Sequence, residues 1–227
     1  MTNTGYAGVR VSESFAGDYA KSAARGKKAA SLIGSFTKRS FDIIAAAVSL
    51  IVLAAPFMLI SLAIILDSRG PVIFRQRRVG RGGKEFYIYK FRTMYTSAPS
   101  MVASGELDRA KSYITRVGGF LRKTSLDELP QLINVLRGDM SVVGPRPLII
   151  NESEIHNRRM AAGIYSVRPG VTGWAQVNGR DEITLDEKIR YDTYYISNKS
   201  MMFDARILLK TVWVVLSKSG YAEGSRR

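Results

Sequence analysis

Cysteine is absent from this 227-residue chain, and histidine occurs once, at His156. The absence of cysteine excludes disulfides, thiolate nucleophiles and cysteine-ligated metal centres. It also fits a compartment that does not depend on oxidation, such as the bacterial cytoplasm. A single histidine argues against histidine-rich metal sites and multi-histidine acid–base schemes. Any catalysis must therefore rest mainly on carboxylates, lysine and arginine, hydroxyls or a hard metal ion.

Acidic residues are also scarce. The chain has 34 lysines and arginines but only 19 aspartates and glutamates, which gives a net charge of +15. Such an excess indicates an anionic partner, which can be a nucleic acid, an acidic membrane surface or a phosphorylated substrate.

Charge is nearly missing from one long segment, Phe41 to Leu66, whose only charged residue is Asp42. The 24 residues from Ile43 to Leu66 would extend roughly 36 Å as a straight helix, which is enough to cross a bilayer. Pro56 near its middle removes a backbone donor and favours a kink. Because basic residues flank both ends, a spanning helix would place one basic flank outside, against the positive-inside tendency. We therefore predict a re-entrant helix–break–helix anchor over residues 38–69, broken at Pro56, with a spanning helix as the alternative.

A β-hairpin is predicted directly after the anchor. Two β-prone runs, Val72–Gln76 and Glu85–Met94, flank the glycine-rich turn Gly80–Gly83. From Arg69 to Arg92 there are eight basic residues and one acid, Glu85. Beside a membrane segment, this charge predicts attachment to anionic lipid headgroups.

Helical patterns dominate the rest of the chain and predict an α+β fold that is mostly helical with a small sheet. They cover about Leu107–Leu121, Leu185–Ser197 and Phe203–Ser217. The last of these carries Trp213 among apolar residues, so it is either an amphipathic helix at the membrane interface or an ordinary core helix.

Two adjacent acids, Asp127 and Glu128, lie in the stretch LRKTSLDELPQLINVLRGDMSVVGPRP. Ser125-x-x-Glu128 matches a capping box, and with Asp127 as the N-cap Pro130 falls harmlessly in the first helical turn. Both registers predict two carboxylates at the N-terminal end of a helix, where the helix dipole favours their ionised forms. Ionised carboxylates suit a nucleophile or a Mg²⁺ ligand.

Two arginines are held in proline-rich turns, Arg146 in Gly144-Pro145-Arg146-Pro147 and Arg168 in Arg168-Pro169-Gly170. Proline restricts the backbone on which each guanidinium is carried, and an oriented guanidinium suits phosphate recognition. The acids, the oriented arginines and the membrane segment together predict phosphoryl transfer near lipid.

Four runs of the sequence carry a family resemblance: KRSFDIIAAA, GPVIFRQRRVG with FYIYKFRTM, RKTSLDELPQLINVLRGDMSVVGPRPL, and VRPGVTGWAQVNGR. With these runs the chain resembles the bacterial sugar transferases, the small monotopic phosphoglycosyl transferases that prime polysaccharide synthesis. The resemblance covers about residues 38–220. It implies an enzyme at the cytoplasmic face of the bacterial inner membrane, anchored by a re-entrant helix broken at Ala55-Pro56.

The resemblance also implies the reaction and the residues that perform it. Such enzymes transfer a sugar 1-phosphate, here expected to carry galactose or glucose, from a UDP-sugar to undecaprenyl phosphate and release UMP. Asp127 would form a covalent phosphosugar intermediate, and Glu128 together with Asp127 would bind Mg²⁺, with Mn²⁺ as a substitute. The expected phosphate- and nucleotide-binding residues are Lys90, Arg122, Arg146, Arg168 and Arg180.

The expected organisation is a flexible tail over 1–37, the anchor over 38–69, a catalytic domain over 70–220 and a short tail over 221–227. The expected partners are the UDP-sugar, undecaprenyl phosphate, anionic lipids and, as a homodimer, a second copy of the chain; nucleic acid is not expected. A basic nucleic-acid-binding protein and a non-catalytic membrane scaffold are the alternatives. The first leaves the long apolar segment unexplained, and the second does not explain the acids among oriented arginines.

Overall fold

A computed structural model describes residues 28–98, 113–179 and 183–217. Its backbone contacts divide the chain into two units, Met1–Lys38 and Arg39–Arg227. The predicted C-terminal tail and site residue Arg180 lie outside the described residues, as do most of the predicted N-terminal tail and the first part, up to residue 112, of the helix predicted from Leu107 to Leu121.

The described residues form eight α-helices and five β-strands, which confirms the predicted α+β class. The helices are α1 (Lys28–Val52), α2 (Ala54–Asp67), α3 (Arg116–Thr124), α4 (Gln131–Arg137), α5 (Ser153–Ala161), α6 (Trp174–Val177), α7 (Leu185–Asn198) and α8 (Met201–Ser217). The strands are β1 (Ile73–Val79), β2 (Glu85–Phe91), β3 (Ser141–Val143), β4 (Leu148–Ile149) and β5 (Gly170–Thr172).

The apolar segment forms two helices, α1 and α2, which meet at an angle of 63°. Among the described residues no single helix is long and apolar enough to cross a membrane, but this bent pair meets both criteria when taken together. The break lies at Leu53, so Pro56 stands in the first turn of α2 instead of at the break itself. A proline is tolerated there because the first turn of a helix has no intrahelical partners for its amides. Helix α1 already begins at Lys28, inside the segment predicted as a tail.

The predicted hairpin is confirmed: β1 and β2 pair antiparallel from Ile73↔Phe91 to Val79↔Glu85. Strand β4 adds to the free edge of β1, which gives the order β2-β1-β4. A second, parallel pair joins β3 to β5 through Ser141↔Gly170 and Val143↔Thr172. The chain after β3 folds back on this pair, because the amide of Gly170 donates to Pro145 O at 3.0 Å, and this contact brings the backbone of the Arg146 turn next to that of the Arg168 turn.

Three apolar clusters hold these elements together. The first joins α1, β2 and α4, and its buried members are Ala46, Ile88, Leu132, Val135 and Met140. The second joins α2, β2 and α3 through Ile64, Phe91 and Leu121. The third joins β3, α6, α7 and α8 through Val143, Val177, Tyr195 and Ile207. Strand β2 belongs to two of them, through Ile88 and Phe91, so both arms of the bent pair pack against the strand that carries Lys90. Burial of such side chains contributes about 1.5–3 kcal/mol each.

Apolar side chains remain exposed on the two arms and on α8. On α8 the large apolar residues that are exposed are Met201, Met202, Leu209, Val212, Trp213 and Leu216, while Ile207 and Asp204 are buried. Helix α8 therefore packs one side against the core through Ile207 and exposes large apolar side chains on the other, and its place at a membrane interface stays a prediction.

Candidate active site

The adjacent acids lie in a short 3₁₀ turn, Leu126–Glu128, between α3 and α4. Ser125 ends α3 in the left-handed region with φ 58°, and its side chain makes no capping hydrogen bond to the turn. The predicted capping box at Ser125–Glu128 is therefore wrong, because α4 begins only after Pro130 and the Glu128 side chain points to cations instead. A left-handed serine is strained by roughly 1–2 kcal/mol, and this conformation turns the chain sharply enough to present both acids to β2.

Glu128 is held by two cations. Lys90 Nζ donates to Glu128 Oε1 at 2.7 Å, and Arg146 donates through Nη2 to Oε1 at 2.8 Å and through Nη1 to Oε2 at 3.3 Å. Burial raises the pKa of this carboxyl, but Arg146 and Lys90 outweigh it and hold the pKa far below its usual range. Glu128 is therefore an ionised, oriented group with both oxygens engaged.

Asp127 lies beside it in a different environment. Its residue surface is 9% exposed, and its Oδ2 is 3.9 Å from Lys90 Nζ. Burial raises its pKa to about 6, against the opposing effect of Lys90. The prediction that the helix dipole favours ionisation of both acids is thus wrong for Asp127, because the loss of hydration outweighs nearby positive charge. At neutral pH the carboxylate is still mostly ionised, and it is less stabilised than its neighbour.

Arg122 approaches the same acids from the last turn of α3. Its Nε donates to Thr93 Oγ1 at 3.0 Å, and its charge acts to lower the pKa of Asp127. The structure therefore brings four of the predicted site residues, Lys90, Arg122, Arg146 and Glu128, together around Asp127.

Arg78 is a further cation of the site that is not among the residues predicted from the sequence. It donates to the carbonyl of Pro147 at 3.2 Å. Burial, and then the charge of Arg146, lowers its pKa to about 10. A signal was present in the sequence, because Arg77 and Arg78 are consecutive in a strand and must point to opposite faces, so one of them had to face inward.

Arg168 lies in a different environment. Its Nε donates to the carbonyl of Gly138, 2.8 Å away, at the C-terminal end of α4, and Arg39 donates to Leu136 O nearby. Burial lowers the pKa of Arg168, and the charges that act on it come from Arg39, Arg81 and Asp42. The described contacts therefore associate Arg168 with the end of α4 and not with the two acids.

The donor set for a divalent cation is small. Within residues 28–98, 113–179 and 183–217 no three acidic or histidine side chains gather as a metal site. Asp127 and Glu128 nevertheless offer adjacent carboxylate oxygens, and Mg²⁺ is commonly bound by one or two carboxylates with substrate phosphates and water completing its shell. The two acids fit a cation that is shared with a substrate.

Comparison with known proteins identifies the family. The model of the bacterial sugar transferase family matches residues 33–218, which include both acids and every described cation around them. The chain belongs to the bacterial sugar transferase family. The family prediction from the sequence motifs is confirmed, and membership favours an enzyme over the two non-catalytic alternatives.

Curated relatives of the transferase fall into two length groups. The sugar transferase EpsL of Bacillus subtilis is 42% identical over 184 residues, which are 81% of this chain and 89% of EpsL. The undecaprenyl-phosphate galactose phosphotransferase of Salmonella typhimurium is 39% identical over 82% of this chain and 41% of its own length. The UDP-glucose:undecaprenyl-phosphate glucose-1-phosphate transferase of Escherichia coli is 41% identical over 80% of this chain and 40% of its own. The chain thus covers most of EpsL and about two fifths of the other two.

Proposed function

We propose that this transferase moves a sugar 1-phosphate, with galactose or glucose as the sugar, from a UDP-sugar to undecaprenyl phosphate and releases UMP. The reaction would be the priming step of exopolysaccharide synthesis at the cytoplasmic face of the inner membrane. The observation that carries the proposal is the pair of unlike carboxylates among cations, with Glu128 gripped by Lys90 and Arg146 and Asp127 less stabilised beside it. The names of the Salmonella and Escherichia coli relatives support the donor and the acceptor.

Asp127 would act as the nucleophile. In the first step its carboxylate oxygen forms a bond to the β-phosphorus of the UDP-sugar, and the bond from that phosphorus to the bridging oxygen breaks. The electron pair of that bond leaves with UMP, and an aspartyl phosphosugar remains. In the second step a phosphate oxygen of undecaprenyl phosphate attacks the same phosphorus, and the bond to Asp127 breaks, which restores the carboxylate. Dividing the transfer lets a soluble donor and a lipid acceptor use one site in turn.

The cations would offset the repulsion between an anionic nucleophile and an anionic diphosphate. Lys90 touches both acids, while Arg146 offers a planar fork of the shape that phosphate oxygens accept. Asp127 and Glu128 are the residues that would hold Mg²⁺. A bound Mg²⁺ would supply further neutralisation of charge on the diphosphate.

The bent helix pair would act as a re-entrant anchor. Exposed apolar residues on both arms, among them Ile44, Ile51, Leu59 and Leu66, suit contact with acyl chains, and the basic hairpin suits anionic headgroups. The 63° bend is consistent with both ends of the segment lying on one side of a bilayer.

The activity can be tested with the purified protein in detergent or nanodiscs. A panel of UDP-sugars is supplied with Mg²⁺ and undecaprenyl phosphate, and UMP release is measured. We expect UMP with one or two of the sugars, and Asp127→Asn should abolish release. Asp186→Asn removes an exposed acid elsewhere and should leave release unchanged. No UMP with any sugar would exclude the reaction.

The covalent step can be tested separately. Without acceptor, wild-type protein and its preferred UDP-sugar should yield a peptide containing Asp127 that is heavier by one hexose phosphate. An adduct mapped to another residue, or a normal turnover by Asp127→Asn, would remove Asp127 as the nucleophile.

Because the chain has no cysteine, a single introduced cysteine reports topology without a background. Ser12→Cys and Lys84→Cys lie on either side of the bent pair, and Lys84 is exposed. In right-side-out vesicles, neither should react with a membrane-impermeant maleimide until the vesicles are opened. Reaction of Ser12→Cys from outside would establish a spanning helix.

A further inference from the structure

The backbone of the Arg146 turn accepts hydrogen bonds from side chains in the protein interior. Pro145 and Pro147 are buried, while Arg146 between them reaches outward to Glu128. Two arginines from elsewhere in the fold hold the carbonyls of this turn. Arg159 of α5 donates to Arg146 O at 2.8 Å, and Arg78 of β1 donates to Pro147 O at 3.2 Å.

Arg159 is itself held by an acid from a third element. It is 3% exposed, and its Nη2 donates to Oδ2 of Asp192 on α7, which is 1% exposed. Removing one partner of such a buried pair leaves an uncompensated charge. Asp192 therefore determines where the Arg159 guanidinium lies, and the remaining Nη1 of that guanidinium reaches the Arg146 carbonyl.

The hydrogen bonding of this pair is incomplete. Within the described structure, Arg159 Nε and Asp192 Oδ1 are buried without a hydrogen-bond partner. Incompletely satisfied buried ion pairs are poor contributors to stability, and an apolar replacement is often as stable. Besides its bond to Asp192, Arg159 completes a hydrogen bond to the backbone carbonyl of Arg146, so the geometry favours orientation of the turn as its role.

We propose that Arg159 and Asp192 are positioning residues, which fix the carbonyl of Arg146 so that its guanidinium meets Glu128 at two points. The expected effect on activity rests on the proposed function, whereas the expected effect on the position of Arg146 rests on the geometry alone. With proline on both sides, the turn can adjust only as a whole. A small rotation of the turn would be amplified along the arginine side chain and would break at least one of the two contacts to Glu128.

The matched control is a second ion pair between the same two helices. Arg158 of α5 donates to Asp186 of α7, and both side chains are largely exposed. The described contacts of this pair do not include the Arg146 turn. Asp186→Asn therefore repeats the chemistry of Asp192→Asn on the same helix pair, at a position that does not reach the site.

The first experiment measures the position of Arg146 without using activity. The full-length protein is treated with an arginine-specific dicarbonyl reagent, and modification of the Arg146 peptide is followed by mass spectrometry. We expect Asp192→Asn and Arg159→Lys to speed modification of Arg146 at least threefold, and Asp186→Asn to leave it unchanged. If Arg146 is modified at the wild-type rate in both Asp192→Asn and Arg159→Lys, the proposal is overturned, whatever the activity of these variants.

The second experiment is a double-mutant cycle on kcat/KM for the UDP-sugar. We expect Asp192→Asn to lower kcat/KM at least tenfold, and Asp192→Asn combined with Arg146→Lys to be little worse than Arg146→Lys alone. Multiplying effects would show that Asp192 acts independently of Arg146, and this would also overturn the proposal. If Asp192→Asn fails to fold, as judged by thermal unfolding, Arg159→Lys takes its place in the cycle.

The two failures remain distinguishable. A wild-type protein that releases no UMP refutes the proposed function, while the modification rates still decide whether Arg159 and Asp192 position Arg146. If the wild-type protein is active but the effects of Asp192→Asn and Arg146→Lys on kcat/KM multiply, only the positioning role of Arg159 and Asp192 is refuted.

Discussion

Arg146 and Glu128 form a two-point contact, in which Nη2 lies 2.8 Å from Oε1 and Nη1 lies 3.3 Å from Oε2. The contact joins residues 18 positions apart and helps keep the Glu128 carboxylate ionised within the protein. A substrate phosphate approaching Asp127 would therefore meet an arginine that is already oriented. It would also meet the Glu128 carboxylate, which stays unprotonated at neutral pH.

Replacement of Arg146 by lysine should preserve the positive charge but remove the two-point hydrogen bonding of the guanidinium group. An ammonium group can contact one oxygen of Glu128 but cannot match a carboxylate or phosphate at two points. We expect kcat/KM for the UDP-sugar to fall by about one to two orders of magnitude, since a lost charge-assisted hydrogen bond is worth about 1.5–3 kcal/mol. UMP release measures the effect.

Arg158→Lys is the control for this change. Arg158 is exposed and pairs with Asp186 outside the site, so its replacement should alter kcat/KM by less than twofold. Equal losses in the two variants would mean that Arg146 contributes only general positive charge.

Asp127 should destabilise the folded protein at neutral pH. Its pKa is about 6 when folded and close to the ordinary value of about 3.9 when unfolded. The folded protein therefore binds the proton more tightly, and this group makes the free energy of unfolding fall as pH rises from about 4 to about 6. Asp127→Asn removes this titration, so its advantage over wild type should grow across that range by up to about 3 kcal/mol.

The measurement is thermal unfolding of wild type and Asp127→Asn in detergent with EDTA, from pH 4 to pH 7. The chelator matters because a bound cation would stabilise the ionised carboxylate. A difference between the two proteins that stays constant with pH, or that shrinks as pH rises, would contradict the raised pKa.

Two neighbouring glycines of α3 should respond oppositely to alanine. A Cβ on Gly118 would lie 2.1 Å from the backbone oxygen of Thr93, whereas a Cβ on Gly119 would meet nothing closer than 3.9 Å. Gly118→Ala must push α3 away from Thr93, at a cost of about 1–3 kcal/mol. Gly119→Ala should stabilise the helix by about 1 kcal/mol.

Thermal unfolding of the two variants tests the sign of each effect. Because Thr93 also accepts from Arg122, Gly118→Ala should lower UMP release as well, and Gly119→Ala should not. Similar melting temperatures for both variants would show that α3 does not pack closely against Thr93.

Arg92 should be needed to hold the end of α2. It is 5% exposed and donates to Ile64 O, Ser68 O, Ser68 Oγ and Arg69 O at 2.5–3.3 Å. Lysine has one nitrogen and cannot reach all these acceptors, so Arg92→Lys should lower the free energy of unfolding by about 2 kcal/mol. Thermal unfolding measures it, and Arg75→Lys at an exposed position of β1 should change stability by less than about 0.5 kcal/mol. A loss no larger than that of the control would mean that the α2 carbonyls find other donors.

Local pattern was sufficient for much of the fold. The antiparallel hairpin and the helices over Leu185–Asn198 and Met201–Ser217 follow from alternation, glycine punctuation and apolar periodicity, all of which are properties of a few consecutive residues. The sequence predicts the break in the apolar segment at Pro56, and the break lies three residues earlier, at Leu53, because proline has no amide for the carbonyl four residues before it and its ring crowds that carbonyl. The motif predicts Ser125 as a helix cap, which is wrong because its left-handed conformation depends on how α3 meets β2, and a short motif does not encode that contact.

The sequence by itself determined that the chemistry must use carboxylates and cations, that one long apolar segment is broken, and that the chain belongs with the sugar transferases. Only the tertiary structure decided that Asp127 and Glu128, adjacent and chemically alike, have pKa values shifted in opposite directions. That difference depends on how deeply each carboxyl is buried and on which cations reach it from 18 and 38 residues away. The same holds for Arg159 and Asp192, which are 33 residues apart: folding brings them together behind Arg146, and no local pattern marks them.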